Sequence, residues 1–354
     1  MTNAVEENKS SFIKGHFYGR RAFIVKLFVS ISILGYLAYV VDWSSLWAMI
    51  AKVNLMLFTG AVLVMSLPIA LTSLRWQIIL RSQNLVIRIR EVISFDLIAL
   101  FFNSVLPGST GGDMVRAVLA IRLFPREKTR IILSLLTDRG IGLLVLMIFA
   151  WLVLWIRPEI VRVSPLLQSV GKLINWTLFA AISALLIVAI SRQARTMPWA
   201  QGVLQFLKRN AVIDKILSYV SPFLSRPLLL IGLAGVTVVS YSCNFFSGYL
   251  LAKALHLPMS YLQVVLLLAV VTVAISIPIT VSGHGVREIV IIGMFSTLAI
   301  DVPALREAAI AYSILLFGIQ LIWSLIGGVY FLSHRGQLDP KWSLTPHQDR
   351  AGIP

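Results

Sequence analysis

Three short stretches of this chain carry residues able to do chemistry inside otherwise apolar sequence. The first is NSVLPGSTGGDMVR, Asn103 to Arg116. Pro107 and Gly108 stop a helix running into it, and Gly111 and Gly112 allow backbone shapes that turn successive amide N–H groups into one concavity. A new helix starts at about Asp113, so its free N–H donors and the positive end of its dipole face the break, with Arg116 one turn on. With Asn103 and Ser109 beside these amides, the stretch is suited to an anion such as a lipid phosphate. Asp113 is either the N-cap or the i,i+3 partner of Arg116. The bland alternative is a capped hairpin whose Asp113 and Arg116 only neutralise each other.

The second stretch, PITVSGHGVRE from Pro278 to Glu288, repeats that logic. A proline and small residues lead to Gly283, His284 and Gly285, and a helix restarts with Arg287 and Glu288 in its first turn. His284 is either a group titrating near neutral pH or a satisfied hydrogen-bond donor. Two breaks of matching design in opposed halves of one chain are more specific than one, and they resemble the discontinuous helices that build midplane substrate sites.

The third is the pair Asp138 and Arg139, which interrupts the apolar run Ile131 to Ile156. Neighbours in sequence point to different sides of a helix, so each needs a partner on another element. A charge at the centre of a membrane helix costs about 2.5–3.5 kcal/mol. Four acids (Asp96, Asp113, Asp138, Glu288) and three arginines therefore call for mutual pairing or water, and a polar cavity inside the bundle supplies both. Asp96 lies near enough to the membrane surface for hydration to satisfy it.

The elements that must hold these groups are membrane helices. The 354 residues are 58% hydrophobic and 13% charged, with a mean hydropathy of +0.87, outside the range of an ordinary soluble chain. The fold class is an all-α polytopic membrane protein with about six full spans: Phe23 to Val41, Leu55 to Leu74, Ile131 to Ile156, Leu173 to Ser191, Leu228 to Leu251 and Ala308 to Leu332. Residues 94–124 and 261–300 fit less well. Ser94 to Leu106 gives roughly 20 Å of helix against a hydrocarbon core of about 30 Å, and the returning arm is no longer. Both regions read as re-entrant helical hairpins. Residues 1–22 form a basic tail before an uncleaved first span, residues 23–332 one integral membrane domain, and residues 333–354 a second tail. The loop 192–227 carries an apolar stripe beside basic residues and reads as surface-lying helices or as a solvated linker.

Charge placement orients the bundle. With both termini in the cytoplasm, 21 of the 31 Lys and Arg fall inside and 6 outside. Treating the first hairpin as a single crossing would invert everything after it, including the most basic loop. The order span, inward-opening hairpin, span is then mirrored by span, outward-opening hairpin, span, an inverted-repeat arrangement whose two tips approach near the midplane.

Other chemistries are poorly supported. The net charge is +16, but the basic residues sit in short connections rather than on one continuous face, which argues against a nucleic-acid partner. The lone cysteine, Cys243, rules out a disulfide framework and a Cys-x-x-Cys redox motif. The five histidines are scattered, so no metal is expected, and no phosphate-binding loop with a Lys supports nucleotide hydrolysis. No cofactor is implied.

The first break, the segment TDRGIGLL from Thr137 to Leu144 and the second break together resemble the lysylphosphatidylglycerol synthase transmembrane-region family, over about Arg75 to Leu332. In that family the middle segment favours Glu where this chain has Asp138, and the second break favours an apolar or aromatic residue between its two glycines, where this chain has His284. The resemblance implies a flippase-like domain that moves a lipid with an anionic head group, a phospholipid or a polyprenyl-linked lipid, between leaflets of a bacterial plasma membrane as a flippase or a scramblase. No residues remain for the aminoacyl-transferase domain of two-domain relatives, so the chain is expected to move a lipid and not to make one. Rival readings are an intramembrane protease built on Ser109 with His284 or on Asp113 with Asp138, a lipid-linked glycosyltransferase, and a non-transporting scaffold. Short outer loops poor in acids disfavour the glycosyltransferase.

Overall fold

The computed structural model describes residues 32–33, 35–105, 111–156, 158, 168–169, 171–180, 183, 226–276, 285–298, 300–302 and 304–334. Among them the regular elements are helices and no strand occurs. They are α1 (Trp43–Ala51), α2 (Leu55–Val64), α3 (Ser66–Ser82), α4 (Ile89–Val105), α5 (Gly111–Leu123), α6 (Lys128–Ile156), α7 (Pro227–Ala254), α8 (Tyr261–Ser276), α9 (Val286–Thr297) and α10 (Leu305–Ser333).

Four stretches are long and apolar enough to cross a membrane: Leu55–Ser82, Lys128–Ile156, Leu228–Ala254 and Leu305–Ser333. They correspond to four of the six spans read from the sequence. The runs from Phe23 and from Leu173 lie mostly outside the described residues, as does the loop 192–227. Only 11% of the apolar window of Leu55–Ser82 is buried inside the protein. Apolar side chains left bare over a whole helix need an apolar solvent, and lipid supplies it.

The span α2–α3 is interrupted at Met65, three residues before Pro68. Proline has no N–H to return to the carbonyl four residues back, so the helix is broken there. The Thr72 hydroxyl donates to the Pro68 carbonyl, as does that of Ser240 from α7 at 3.4 Å. Asn54 caps α2, accepting from the amides of Met56 and Leu57 at 3.0 and 3.1 Å. Asp42 caps the short α1, and hydrogen bonds from Ser45 and Ser44 hold its carboxyl down at about 2.

Two pairs of helices double back on themselves. In the first, Asn103 of α4 meets Gly112 of α5 and Asp96 meets Arg116, a pairing that runs antiparallel. In the second, the Gln263 amide at the start of α8 donates to the Leu298 carbonyl just past α9, at 3.4 Å. The arms α5 and α9 have 13 and 12 residues, about 20 Å or less, too short to cross a hydrocarbon core alone.

The pairs open toward opposite ends of the bundle. At one end α3 meets the start of α4, where the Gln77 amide donates to the Ile87 carbonyl at 2.8 Å. The start of α7 joins them there through Leu233 packed on Ile79. At the other end the Asn54 amide donates to the Ala254 carbonyl at 3.0 Å, beside the mouth of α8 and α9, and the Asp42 amide reaches Glu307 of α10 at 3.4 Å.

The two largest apolar clusters among the described residues hold most of the elements. In the larger, α8 is buried around its whole circumference, from Val264 to Ala269, among α6, α7, α9 and α10. A helix without a polar face is a central helix. The smaller cluster joins Trp76 and Leu80 of α3, Val92, Phe95 and Ile98 of α4, Leu119 and Ala120 of α5, and Ile131 and Leu135 of α6. The buried charges stand directly beside it.

Candidate functional site

Asp138, near the end of the third turn of α6, is 2% exposed. A carboxylate so placed persists only with a counter-charge. Arg75 of α3 provides it, with Nε 2.6 Å from Asp138 Oδ1. The other side of the same guanidinium donates from NH1 to Thr237 Oγ1 of α7 at 3.2 Å. Sequence reasoning ends the second span at Leu74 and leaves Arg75 in the cytoplasmic connection. The structure corrects this: α3 runs on to Ser82 and buries Arg75. The signal was the apolar stretch resuming at Trp76 and continuing to Leu80.

Asp96 is likewise not left to hydration. It is buried on α4, accepts from the Ser73 hydroxyl at 2.5 Å, and faces Arg116 of α5. Arg116 Nε lies 2.6 Å from Asp96 Oδ1, but the N–H does not point along that line, so the contact is ionic without being a hydrogen bond. Arg116 NH1 stands 3.5 Å from both Asp113 and Asp138. Its NH2, shut off from solvent, has no hydrogen-bond partner among the described residues. The guanidinium stacks on Trp76, its Cζ 4.3 Å from the ring centroid, and the Trp76 indole is fixed by a hydrogen bond to Ser134 Oγ at 3.1 Å.

Asp113 is held from the other side by Arg139, whose Nε and NH2 both lie 2.6 Å from Asp113 Oδ2. The Asp113 side chain is 19% exposed and that of Arg139 49%, so this pair forms the open rim and Arg75, Asp138, Asp96 and Arg116 the floor. The first break positions Asp113 and Arg116. Gly112 donates its amide to Asn103 Oδ1 at 2.7 Å, and a Cβ on Gly112 would stand 2.5 Å from that side chain and from the Ala99 carbonyl. Only glycine lets the two arms approach so closely.

These six charges, with Asn103, line a cavity of about 350 Å³. Its apolar wall comes from Met65, Pro68, Ile69, Leu100 and Leu143, and Tyr241 and Asn244 of α7 complete it. Of the second hairpin, Thr272 reaches it. That size and that mix of apolar wall with few polar groups suit a head group or other small ligand. Among the described residues no three His, Cys, Asp or Glu converge to hold a metal ion; each carboxylate of the cavity faces a guanidinium.

Arg287 and Glu288 lie elsewhere. Arg287 NH2 is 2.6 Å from Glu288 Oε1, Ser313 of α10 bridges the two at 3.0 Å to each, and the guanidinium covers Phe317. Glu288 also accepts from the amide of Gly285 at 2.6 Å, closing the start of α9. Gly285, at φ +87°, packs against Ile33. Arg287 does not line this cavity with Arg116. Both hairpins pack on α10 instead. Ser109, Gly283 and His284 lie outside the described residues.

A family model described as the lysylphosphatidylglycerol synthase TM region matches residues 23–328. The chain belongs to this family. No curated protein matches the chain. The family match begins well before Arg75, so it takes in the first two apolar runs as well as both charge clusters. With the four spanning helices, it makes the chain a multi-pass membrane protein.

Proposed function

We propose that this protein moves a lipid with a phosphate-bearing head group from one leaflet of a bacterial plasma membrane to the other, without altering it. The observation that carries the reading is Arg116: buried, stacked on Trp76, lining the cavity, and left with a guanidinium nitrogen that no described residue satisfies. An unpaired buried donor is costly unless a ligand completes it, and the family to which the chain belongs points to lipid handling. The phosphate meets Arg116 and the amides at the start of α5 while the acyl chains stay in the bilayer. The two doubled-back helix pairs act as re-entrant hairpins, entering the membrane from opposite faces in an inverted repeat, with both chain termini in the cytoplasm.

A paired-acid protease is disfavoured by the same geometry, because the Arg116 guanidinium stands between Asp113 and Asp138 where such a pair would share a proton. The test is lipid movement in proteoliposomes carrying acyl-labelled phospholipids. Loss of a charge-assisted hydrogen bond of about 1.5–3 kcal/mol predicts that Arg116→Ala slows movement roughly ten- to hundredfold. Arg116→Lys keeps the charge but not the planar fork, and falls between. Parental rates in an Arg116→Ala variant that runs as a folded particle in detergent would end the proposal.

A further inference from the structure

The cavity is electrically closed. Its rim and floor hold three guanidinium groups, Arg75, Arg116 and Arg139, and three carboxylates, Asp96, Asp113 and Asp138, each in contact with an opposite charge. The net charge of the site is therefore zero before any ligand enters. Among the described residues Arg116 nevertheless leaves one donor, NH2, without a partner, and a turn of the guanidinium toward the cavity would present it. A phosphodiester that takes this donor adds one negative charge to a balanced set, and some carboxylate loses the guanidinium that neutralises it. An uncompensated charge in a cavity with an apolar wall inside a membrane protein is strongly disfavoured.

We infer that the cavity contains a second, cationic subsite, and that the phosphate is loaded together with one compensating positive charge, so that loading is electroneutral. This rests on the lipid-moving function proposed above and specifies how its site is regulated. Asp96 is the seat on the floor. Its Oδ1 touches Arg116 without accepting a hydrogen bond from it, so this oxygen is open to a proton once Arg116 turns toward a phosphate. Among the described residues the charged and titratable groups around Asp96 are few. From α3 come Ser73 and Arg75, from α5 Asp113 and Arg116, from α6 Asp138 and Arg139, and from α7 Tyr241. The face of α10 packed on α4 brings Gly327 and Gly328, which do not titrate. At the rim Asp113 can exchange Arg139 for an ammonium of the head group, while Arg139 follows the phosphate. The positive charge comes either as a proton on a carboxylate or as an amine carried by the lipid; the chemistry of the seat is the same.

Two acyl-labelled probes with the same phosphodiester separate these sources in proteoliposomes of the full chain. Phosphatidylglycerol brings no positive charge, and phosphatidylethanolamine brings its own ammonium. Movement of phosphatidylglycerol is expected to slow by up to about tenfold for each pH unit above neutrality, and to ignore an imposed potassium diffusion potential. Movement of phosphatidylethanolamine should ignore both. Asp96→Asn removes one negative charge, so phosphatidylglycerol should then move independently of pH; Asp113→Asn makes the same change at the exposed rim, where folding is less at risk. If phosphatidylethanolamine alone moves, the positive charge is the lipid's. Parental transport of phosphatidylglycerol that follows the potential and not the pH overturns the inference and leaves lipid movement standing. If neither probe outpaces protein-free vesicles, the lipid-moving function fails, and this with it.

Discussion

The pair Arg75 and Asp138 shows what a membrane interior demands of a single residue. Their side chains are 8% and 3% exposed, and each is the other's nearest counter-charge at 2.6 Å. Removing Asp138 strands Arg75, and removing Arg75 leaves Asp138 only the longer contact to Arg116 NH1 at 3.5 Å; breaking a buried pair costs about 3–5 kcal/mol. Arg75→Met should therefore lower unfolding stability in detergent by that amount. The double variant Arg75→Met, Asp138→Leu should recover most of it, because no charge is left behind. A thermal double-mutant cycle measures this, and additive losses would show that the two do not depend on each other. Much of this residue-level design is legible in sequence. Asp138 and Arg139 do go to different elements, as adjacent residues on a helix must, and Asp113 does sit one turn from Arg116. Arg75 was hidden because a charge at the end of an apolar run looks like a boundary, and its partner is 63 positions away. Asp96 was visible but its pairing with Arg116 was not, since position along a helix says nothing of which neighbour faces it.

At the scale of elements, the seat of the first hairpin is the close contact between α4 and α10. A Cβ on Gly327 would collide with the Leu97 carbonyl, one residue from Asp96, and one on Gly328 would stand 2.6 Å from the Phe101 ring. The first obstacle is backbone and cannot yield; the second is a side chain that can turn. Gly327→Ala should cost about 1–3 kcal/mol by overpacking, and more than Gly328→Ala. Gly318, on the same helix with open space around it, is the control: Gly318→Ala should be neutral or stabilising by up to about 1 kcal/mol, the helix propensity of alanine over glycine. If the Gly318 and Gly327 variants unfold alike, α4 is not seated as described. The apolar run ending at Leu332 announces a spanning helix but not this notch, because a glycine that fits against a neighbour and one that merely lacks a side chain look the same in one dimension. The short arms α5 and α9 were readable, since their lengths follow from where proline, glycine and charge interrupt the apolar pattern.

At the scale of the whole molecule, the contacts sort the connections to two ends. The turn between α3 and α4 and the turn between α5 and α6 belong to one, as the pairings of Gln77 with Ile87 and of Asn103 with Gly112 require. The turns after α1 and before α10 belong to the other, through Asn54 with Ala254 and Asp42 with Glu307. The basic residues are divided the same way, and the end holding Arg81, Arg88, Arg90, Arg122, Arg126, Lys128 and Arg130 is the richer. Short basic connections stay in the cytoplasm during insertion, so that end should face inward. Cys243 is the chain's one cysteine, and its replacement by alanine gives a background for single cysteines at exposed sites. With Arg88→Cys and Lys128→Cys, a membrane-impermeant maleimide should label only after cells are opened. With Lys52→Cys and Arg306→Cys it should label intact cells. The pair 88 and 128 decides the issue, because α4 and α5 together lie between them. Labelling of those two from opposite sides would mean that the first hairpin crosses the membrane, and the charges now gathered on its two arms would have to be held by some other packing.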